Sequence, residues 1–132
     1  MQAIPLRAKG SFTLVVKPEH LASRFKDSML PPVLATPIMI LAMENAALNA
    51  IRKYLGPGES AVGTAVHIRH VAATPLGQRV TAEAEVTEVD GRRIAFAVTA
   101  RDEVEEIGSG THERMVVDLH RVMQRLDAKA GR

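Results

Sequence analysis

Residues 33–55 read Val33-Leu-Ala-Thr-Pro-Ile-Met-Ile-Leu-Ala-Met-Glu-Asn-Ala-Ala-Leu-Asn-Ala-Ile-Arg-Lys-Tyr-Leu55, and this run predicts one long buried helix. Thr36 is predicted as the N-cap and Pro37 as a residue of the first turn, so the helix is expected from about 37 to 55. Gly56-Pro-Gly58 then ends it. A helix that is apolar on nearly every side needs cover on most of them, and that need decides the fold.

One carboxylate of this helix lies on an apolar face. At about 100° per residue, the polar side chains gather into one stripe, formed by Asn45, Asn49, Arg52 and Lys53. Glu44 lies outside that stripe, on a face formed by Ile40, Leu48, Ile51 and Leu55. A carboxylate among aliphatic side chains is expensive unless it is paired or protonated, and such groups are enriched at functional sites. The alternative is a structural glutamate that caps a neighbouring backbone or pairs with an arginine.

Length and composition narrow the class of protein. A chain of 132 residues, 46% of them hydrophobic, suits one domain with one core, expected over residues 1–132. The absence of cysteine excludes disulfides, thiolate zinc sites and a cysteine nucleophile. The net charge of +2 is spread over interleaved acids and bases, and aromatic residues are only 3% of the chain. Both features argue against a nucleic-acid partner.

The chain has no apolar run long enough to predict a membrane span or a signal peptide. No stretch of 18 apolar residues occurs, and the opening residues Met1–Arg7 lack a long apolar core. We therefore expect a cytoplasmic protein without a membrane partner.

Alternating segments predict five strands. They are expected at 11–17, 61–72, 80–89, 93–102 and 105–119, with a loop or lid at about 21–32 and a short C-terminal helix at 120–128. Asp90-Gly91 is typical of a two-residue hairpin turn. In the second strand, alternation predicts five inward residues: Val62, Thr64, Val66, Ile68 and His70. His67 then faces water, which makes a metal site built from His67 and His70 improbable.

This order of elements predicts an α+β protein. One antiparallel five-stranded sheet would wrap around one long central helix, over a core of about 10–119, with a helical tail at 120–132.

Several segments, taken in order, carry a family resemblance. They are Ala35-Thr-Pro37 with Met43-Glu44, Gly63–His70, Ala73–Gly77, Val89–Arg93 and Glu106–Arg114. Together they resemble the fluoroacetyl-CoA thioesterase family of hotdog-fold acyl-CoA thioesterases. The resemblance implies a hotdog fold, and in that fold two subunits usually pair their sheets and form active sites at the interface.

The same resemblance implies a set of site residues. The catalytic threonine, glutamate and histidine fall on Thr36, Glu44 and His70, while a substrate-binding glycine and arginine fall on Gly63 and Arg114. Each residue also has a structural alternative. Thr36 would cap a helix in any protein, and His70 would be a satisfied core histidine. Gly63 would relieve crowding against the helix, and Arg114 would pair with a carboxylate.

The implied function is hydrolysis of a small or medium acyl-CoA thioester to free acid and CoA, with CoA as part of the substrate and no cofactor or metal. The resemblance leaves open whether Thr36 or Glu44 attacks or acts as a base. The fluoroacetate-specific enzyme carries an aromatic gate before the helix, whereas Met29–Val33 has no aromatic residue, so fluoroacetyl specificity is not expected. The alternatives are a non-catalytic acyl-CoA-binding or sensor protein and an acyl-CoA hydratase or dehydratase.

Helix geometry adds one constraint. Thr36 and Glu44 are eight residues apart, which is about 12 Å along a helix axis. We therefore expect a homodimer or higher homo-oligomer, in which Glu44 faces residues of a second subunit.

Overall fold

Five antiparallel strands form one curved sheet in the computed structural model of the protein, which describes residues 1–132. In chain order, the strands and helices are β1 Lys9–Val15, α1 Ala22–Phe25, α2 Thr36–Ile51, β2 Glu59–His70, β3 Arg79–Asp90, β4 Arg93–Arg101, β5 Glu106–Asp118 and α3 Leu119–Lys129. Short 3₁₀ turns occupy Pro18–His20 and Arg52–Tyr54. The strand order across the sheet is β1-β3-β4-β5-β2, so β1 and β2 are its two edges. The predicted α+β architecture is confirmed.

Helix α2 lies against the concave face of the sheet and supplies much of the core. Eight of its residues are buried: Ile38, Met39, Ala42, Met43, Ala46, Ala47, Ala50 and Ile51. Its many alanines let the strands approach closely. A Cβ atom at Gly10 of β1 would overlap the backbone of Ala46 and Ala50, so only glycine fits there. No helix combines the length and apolar character needed to cross a bilayer.

The inward faces of β3 and β4 follow the predicted alternation. Val80, Ala82, Ala84 and Val86 are buried on β3, and Ile94, Phe96 and Val98 are buried on β4. These two strands are joined by a two-residue loop of Gly91 and Arg92, one residue later than the predicted Asp90-Gly91 pair, because Asp90 still pairs with Arg93. Gly91 has a positive φ of 61°.

The predicted inward face of β2 is wrong in its first half. Gly63 pairs with Arg114 and Ala65 pairs with Glu113, so Thr64 is an extra residue in a β-bulge. Because one added residue reverses the side-chain alternation, the inward residues before the bulge are Ala61 and Gly63. Val62 and Thr64 do not face the core with Val66.

The start of α2 also differs from the prediction. Ala35 is the N-cap, Thr36 is the first helical residue, and no side chain caps the helix. The predicted loop at 21–32 contains one short helix, α1, and its ends are joined by a bridge between Leu21 and Leu34. Because Thr36 does not cap α2, its hydroxyl is free to form a hydrogen bond with another residue.

A hydrogen-bond network around Thr74 and Asp102 fixes the segment that leads into α2. The buried Thr74 donates its hydroxyl to Asp102 Oδ2 at 2.8 Å, and its carbonyl accepts from the N–H of Leu34. Asp102 Oδ1 also accepts from the N–H groups of Val104 and Glu105. Burial alone would raise the pKa of Asp102, but these hydrogen bonds outweigh it and the pKa lies below its ordinary value.

Replacing Asp102 should weaken this hydrogen-bond network. Asp102→Ala is expected to lower the free energy of unfolding at pH 7 by about 1 to 3 kcal/mol, because it leaves the buried Thr74 hydroxyl unpaired. Since the folded-state pKa of Asp102 is depressed, its contribution is present above its unfolded pKa and is lost as the pH falls through the folded value. Urea unfolding at pH 7 and at acidic pH measures both effects.

Glu103→Ala is the matched control, because its side chain is exposed and lies in the same turn. Equal free energies of unfolding for the two variants at pH 7 would show that the hydrogen-bond network of Asp102 does not stabilise the fold.

Candidate functional site

Thr36 and His70 form the first of two polar groups at the open side of α2. Thr36 is the first residue of α2, and His70 is the last residue of β2. Thr36 Oγ1 lies 2.8 Å from His70 Nδ1, which is a hydrogen bond. His70 faces inward, as predicted, because it pairs with Gly108, whose position is packed against Met39 of α2.

The His70 ring is suited to accept a proton. Burial lowers its pKa, while the backbone of Ala72 raises it by a smaller amount, so the neutral ring is favoured at pH 7. Its Nε2 atom is buried without a hydrogen-bond partner. When the ring proton is on Nε2, Nδ1 accepts the hydroxyl proton of Thr36, which is the arrangement that activates a hydroxyl nucleophile.

A cavity of about 350 Å³ adjoins this pair. Thr36 and His70 line it together with mainly apolar side chains, including those of Leu30, Val33 and Val71. Lys26 is the only lysine or arginine in the lining, and no aromatic side chain other than the His70 imidazole takes part. An apolar cavity with a few convergent polar groups is typical of a small-molecule site.

Glu44 and Arg114 belong to a second group, in the middle of α2 and β5. Arg114 Nη1 lies 3.8 Å from Glu44 Oε2, and the Glu44 side chain is 37% exposed. Arg114 is buried, and its Nη2 donates to the carbonyl of Ala61 at 2.7 Å. Burial lowers the pKa of Arg114, and the charge of Glu44 raises it by a smaller amount. Arg114 therefore pairs with a carboxylate, and that carboxylate belongs to the candidate site.

Gly63 makes room for this second group. A Cβ atom at Gly63 would lie 2.8 Å from Glu44 Oε2, 3.4 Å from His112 Cε1 and 3.6 Å from Arg114 Nη1. The bulge at Thr64 turns Gly63 to the concave face, where these three side chains meet. The lack of a side chain leaves the Glu44 carboxylate open to solvent on this side.

His112 is a site residue that the sequence did not predict. It is 2% exposed, its Nδ1 lies 2.9 Å from the carbonyl of Ala65, and its Nε2 lies 3.1 Å from Arg114 Nη1. Burial lowers its pKa, as does the charge of Arg114 to a smaller degree. The spacing of two residues between His112 and Arg114 on a strand was the available signal, because it puts both on one face.

The two groups do not meet within one chain. Gly63 and His70 are seven residues apart on β2, which corresponds to roughly 20 Å along a strand. Glu44 makes no hydrogen bond or ion pair with Thr36 or His70. No group of three histidine, aspartate or glutamate side chains is arranged to hold a metal ion.

Comparison with known proteins identifies the family. The family model described as fluoroacetyl-CoA-specific thioesterase matches residues 16–120. The fluoroacetyl-CoA thioesterase of Streptantibioticus cattleyicolor is 50% identical over 91 residues, which are 69% of this chain and 66% of that protein. The alignment thus spans slightly less than two thirds of that relative.

Solved structures agree with the family match. The structure of the fluoroacetyl-CoA thioesterase FlK superposes with a TM-score of 0.91 at 38% identity, covering 97% of this chain and 98% of that one. A Thermus thermophilus hypothetical protein, described as a thioesterase superfamily member, superposes with a TM-score of 0.88 at 30% identity, covering 99% and 98%. The predicted hotdog fold is confirmed. The chain belongs to the fluoroacetyl-CoA thioesterase family.

Proposed function

We propose that this chain, as one domain over residues 1–132, hydrolyses small or medium acyl-CoA thioesters to the free acid and CoA. The observation that carries the proposal is the 2.8 Å hydrogen bond between Thr36 and His70 at the wall of an apolar cavity. Family membership supports a CoA thioester as the substrate class. Leu30 and the other aliphatic lining residues support acyl groups other than fluoroacetyl, because no aromatic gate narrows the cavity.

The geometry of the pair favours Thr36 as the attacking group. In that route, Thr36 Oγ1 bonds to the thioester carbonyl carbon while His70 Nδ1 takes the hydroxyl proton. The carbon–sulfur bond then breaks, and CoA leaves with the proton that His70 returns. Water hydrolyses the resulting threonine ester, and Glu44 is the base that activates this water. In the alternative route, Glu44 activates a water that attacks the thioester directly, and a trapped acyl-threonine distinguishes the two.

The proposed route needs Glu44 close to Thr36 and His70, and the two groups do not meet within one chain. This requirement supports a homodimer formed through β2. This strand is an edge of the sheet, and its Val62 and Val66 are 43% and 37% exposed. An open edge of 12 residues with exposed valines is an aggregation hazard unless a partner covers it. Leu41 is also exposed on the face of α2 that carries Glu44. Antiparallel pairing of β2 with the β2 strand of a second copy would pair the free backbone N–H and C=O groups of the edge and produce two-fold symmetry.

The register of such a pairing follows from the bulge. Gly63 and His70 both face inward, and with Thr64 as the extra residue they are separated by an even number of pairing steps. A two-fold axis perpendicular to the sheet at His67 therefore puts Gly63 of one subunit opposite the partner's His70. Each of the two sites would then contain Thr36 and His70 from one subunit and Glu44 from the other.

Replacing either Glu44 or His70 should greatly reduce turnover without unfolding the protein. Glu44→Gln and His70→Asn are each expected to lower kcat by about 10² to 10⁴, because each removes a proton carrier. Release of free thiol from a graded set of acyl-CoAs measures hydrolysis, and loss of enoyl absorbance tests the hydratase alternative. In the wild type, the pKa of His70 is lowered by burial, so activity should fall on the acid side only below pH 6.5.

Glu103→Gln and His120→Asn are the matched controls, since both side chains are exposed and neither lines the cavity. Wild-type turnover in both site variants would contradict the proposal, and tight acyl-CoA binding without thiol release would favour a binding protein.

Mixing two inactive variants tests the shared site. When Glu44→Gln and His70→Asn subunits are refolded together, heterodimers contain one site with both native groups. Random pairing is expected to restore about a quarter of wild-type activity, since half of the dimers have one intact site out of two. Each variant refolded alone is the control. No recovery, with heterodimers demonstrated by mass, would mean that the sites are not shared.

Gly63→Ala should impair catalysis more than folding. Its Cβ would lie 2.8 Å from Glu44 Oε2, and the flexible Glu44 side chain can move away, so the fold should survive. A displaced carboxylate is expected to lower kcat about tenfold or more, as measured by thiol release. Gly58→Ala is a control for glycine replacement outside the site, although its positive φ of 75° adds a backbone cost. Unchanged kcat in Gly63→Ala would show that the space beside Glu44 is not needed.

A further inference from the structure

We propose that His112 is a positioning residue that holds the Arg114 guanidinium against Glu44. The inference rests on the proposed function for the role of Glu44, but its structural part stands on a separate set of hydrogen bonds. His112, Arg114 and Glu44 form a chain of contacts that starts at the backbone of the β2 bulge and ends at the carboxylate.

The hydrogen bonds of His112 fix its protonation. A guanidinium nitrogen only donates, so Nε2 of His112 must accept the N–H of Arg114 Nη1 at 3.1 Å. The Ala65 carbonyl only accepts, so Nδ1 of His112 must carry the ring proton, which it donates at 2.9 Å. The imidazole is therefore neutral and in one tautomer. Its ring also stacks on Phe96, with the centroids 5.7 Å apart, which restricts its rotation.

The bulge supplies the anchor for this ring. Ala65 is the first paired residue after Thr64, the extra residue of β2. The bulge therefore has two effects on the site, since it turns Gly63 towards Glu44 and presents a carbonyl to His112.

Arg114 is held by neutral acceptors and has one nearby carboxylate. Its Nη2 donates to the Ala61 carbonyl and its Nη1 to His112, and neither partner cancels its charge. Glu44 is the only carboxylate within 4 Å of the guanidinium. The Nε atom of Arg114 is buried without a hydrogen-bond partner, so the Arg114 side chain depends on few contacts for its position. The loss of the His112 acceptor would remove one of only two hydrogen bonds that orient the guanidinium.

Protonation of His112 would break the same contact. A charged ring has no acceptor for Arg114 and would place a second positive charge beside the guanidinium. The charged groups that act on the His112 ring are Arg114, whose charge opposes protonation, and Glu44 and Glu113, each of whose charges favours protonation less strongly. Glu113 is already paired with Arg93. Burial is the largest influence and lowers the pKa of His112, so the neutral ring persists below pH 6.5.

Two variants separate positioning from packing. His112→Leu fills the space without an acceptor, whereas His112→Gln retains a carbonyl oxygen near the place of Nε2. We expect kcat to fall about ten- to a hundredfold in His112→Leu, with KM nearly unchanged, and to recover substantially in His112→Gln. A role in packing alone would lower the melting temperature of both variants and leave kcat of the folded enzyme at the wild-type level, which would overturn the inference.

The tautomer gives a test that does not depend on activity. Long-range ¹H–¹⁵N NMR spectra of the full wild-type chain should show His112 as the neutral Nδ1–H form at pH 7 and down to below pH 6.5. An Nε2–H tautomer or a protonated ring at pH 7 would overturn the inference, even if His112→Leu fails to fold. If Glu44→Gln and His70→Asn are both fully active, the proposed function fails. If Glu44→Gln is impaired while folded His112→Leu is not, only the positioning role fails.

Discussion

The cover that the apolar helix α2 requires is the constraint on which the rest of the structure depends. Its buried alanines and methionines have no favourable contact with water, so the sheet must curve around the helix. Because α2 fills the concave face, a polar side chain of α2 can reach a substrate only where the sheet does not cover the helix. Thr36 is at the start of the helix, and Glu44 is on the side beside the open edge of β2. Both positions follow from one packing requirement.

Patterns of apolar residues predicted much of this architecture. The helix, the hairpin that joins β3 to β4 and the inward faces of these two strands follow from local rules that hold along each segment. The inward direction of His70 was also predictable, because the alternation of β2 is regular after the bulge. Local rules succeed at these positions because burial repeats there with the period of the backbone.

Other features depend on contacts that a single segment does not contain. The bulge at Thr64 reverses the alternation of β2, and its one local sign is Gly63, which marks either a bulge or a close backbone approach. Thr36 resembles an N-cap, but its hydroxyl bonds to His70, 34 residues away in the chain. His112 was not predicted because Gly108 and Gly110 obscure the alternation of β5, and because its anchor, the Ala65 carbonyl, lies on β2. A family resemblance implied the roles of Thr36, Glu44, His70, Gly63 and Arg114, and their geometry supports the proposed chemistry.

The extra residue in β2 has an evolutionary consequence. Side chains on this strand can diverge wherever they keep their size and polarity, but the length of the strand is under a stricter limit. A deletion at Thr64 would turn Gly63 and the residues before it to the opposite face of the sheet, away from Glu44. Among relatives, insertions and deletions should therefore accumulate in the surface turns and be purged from this strand, even where its individual amino acids have drifted.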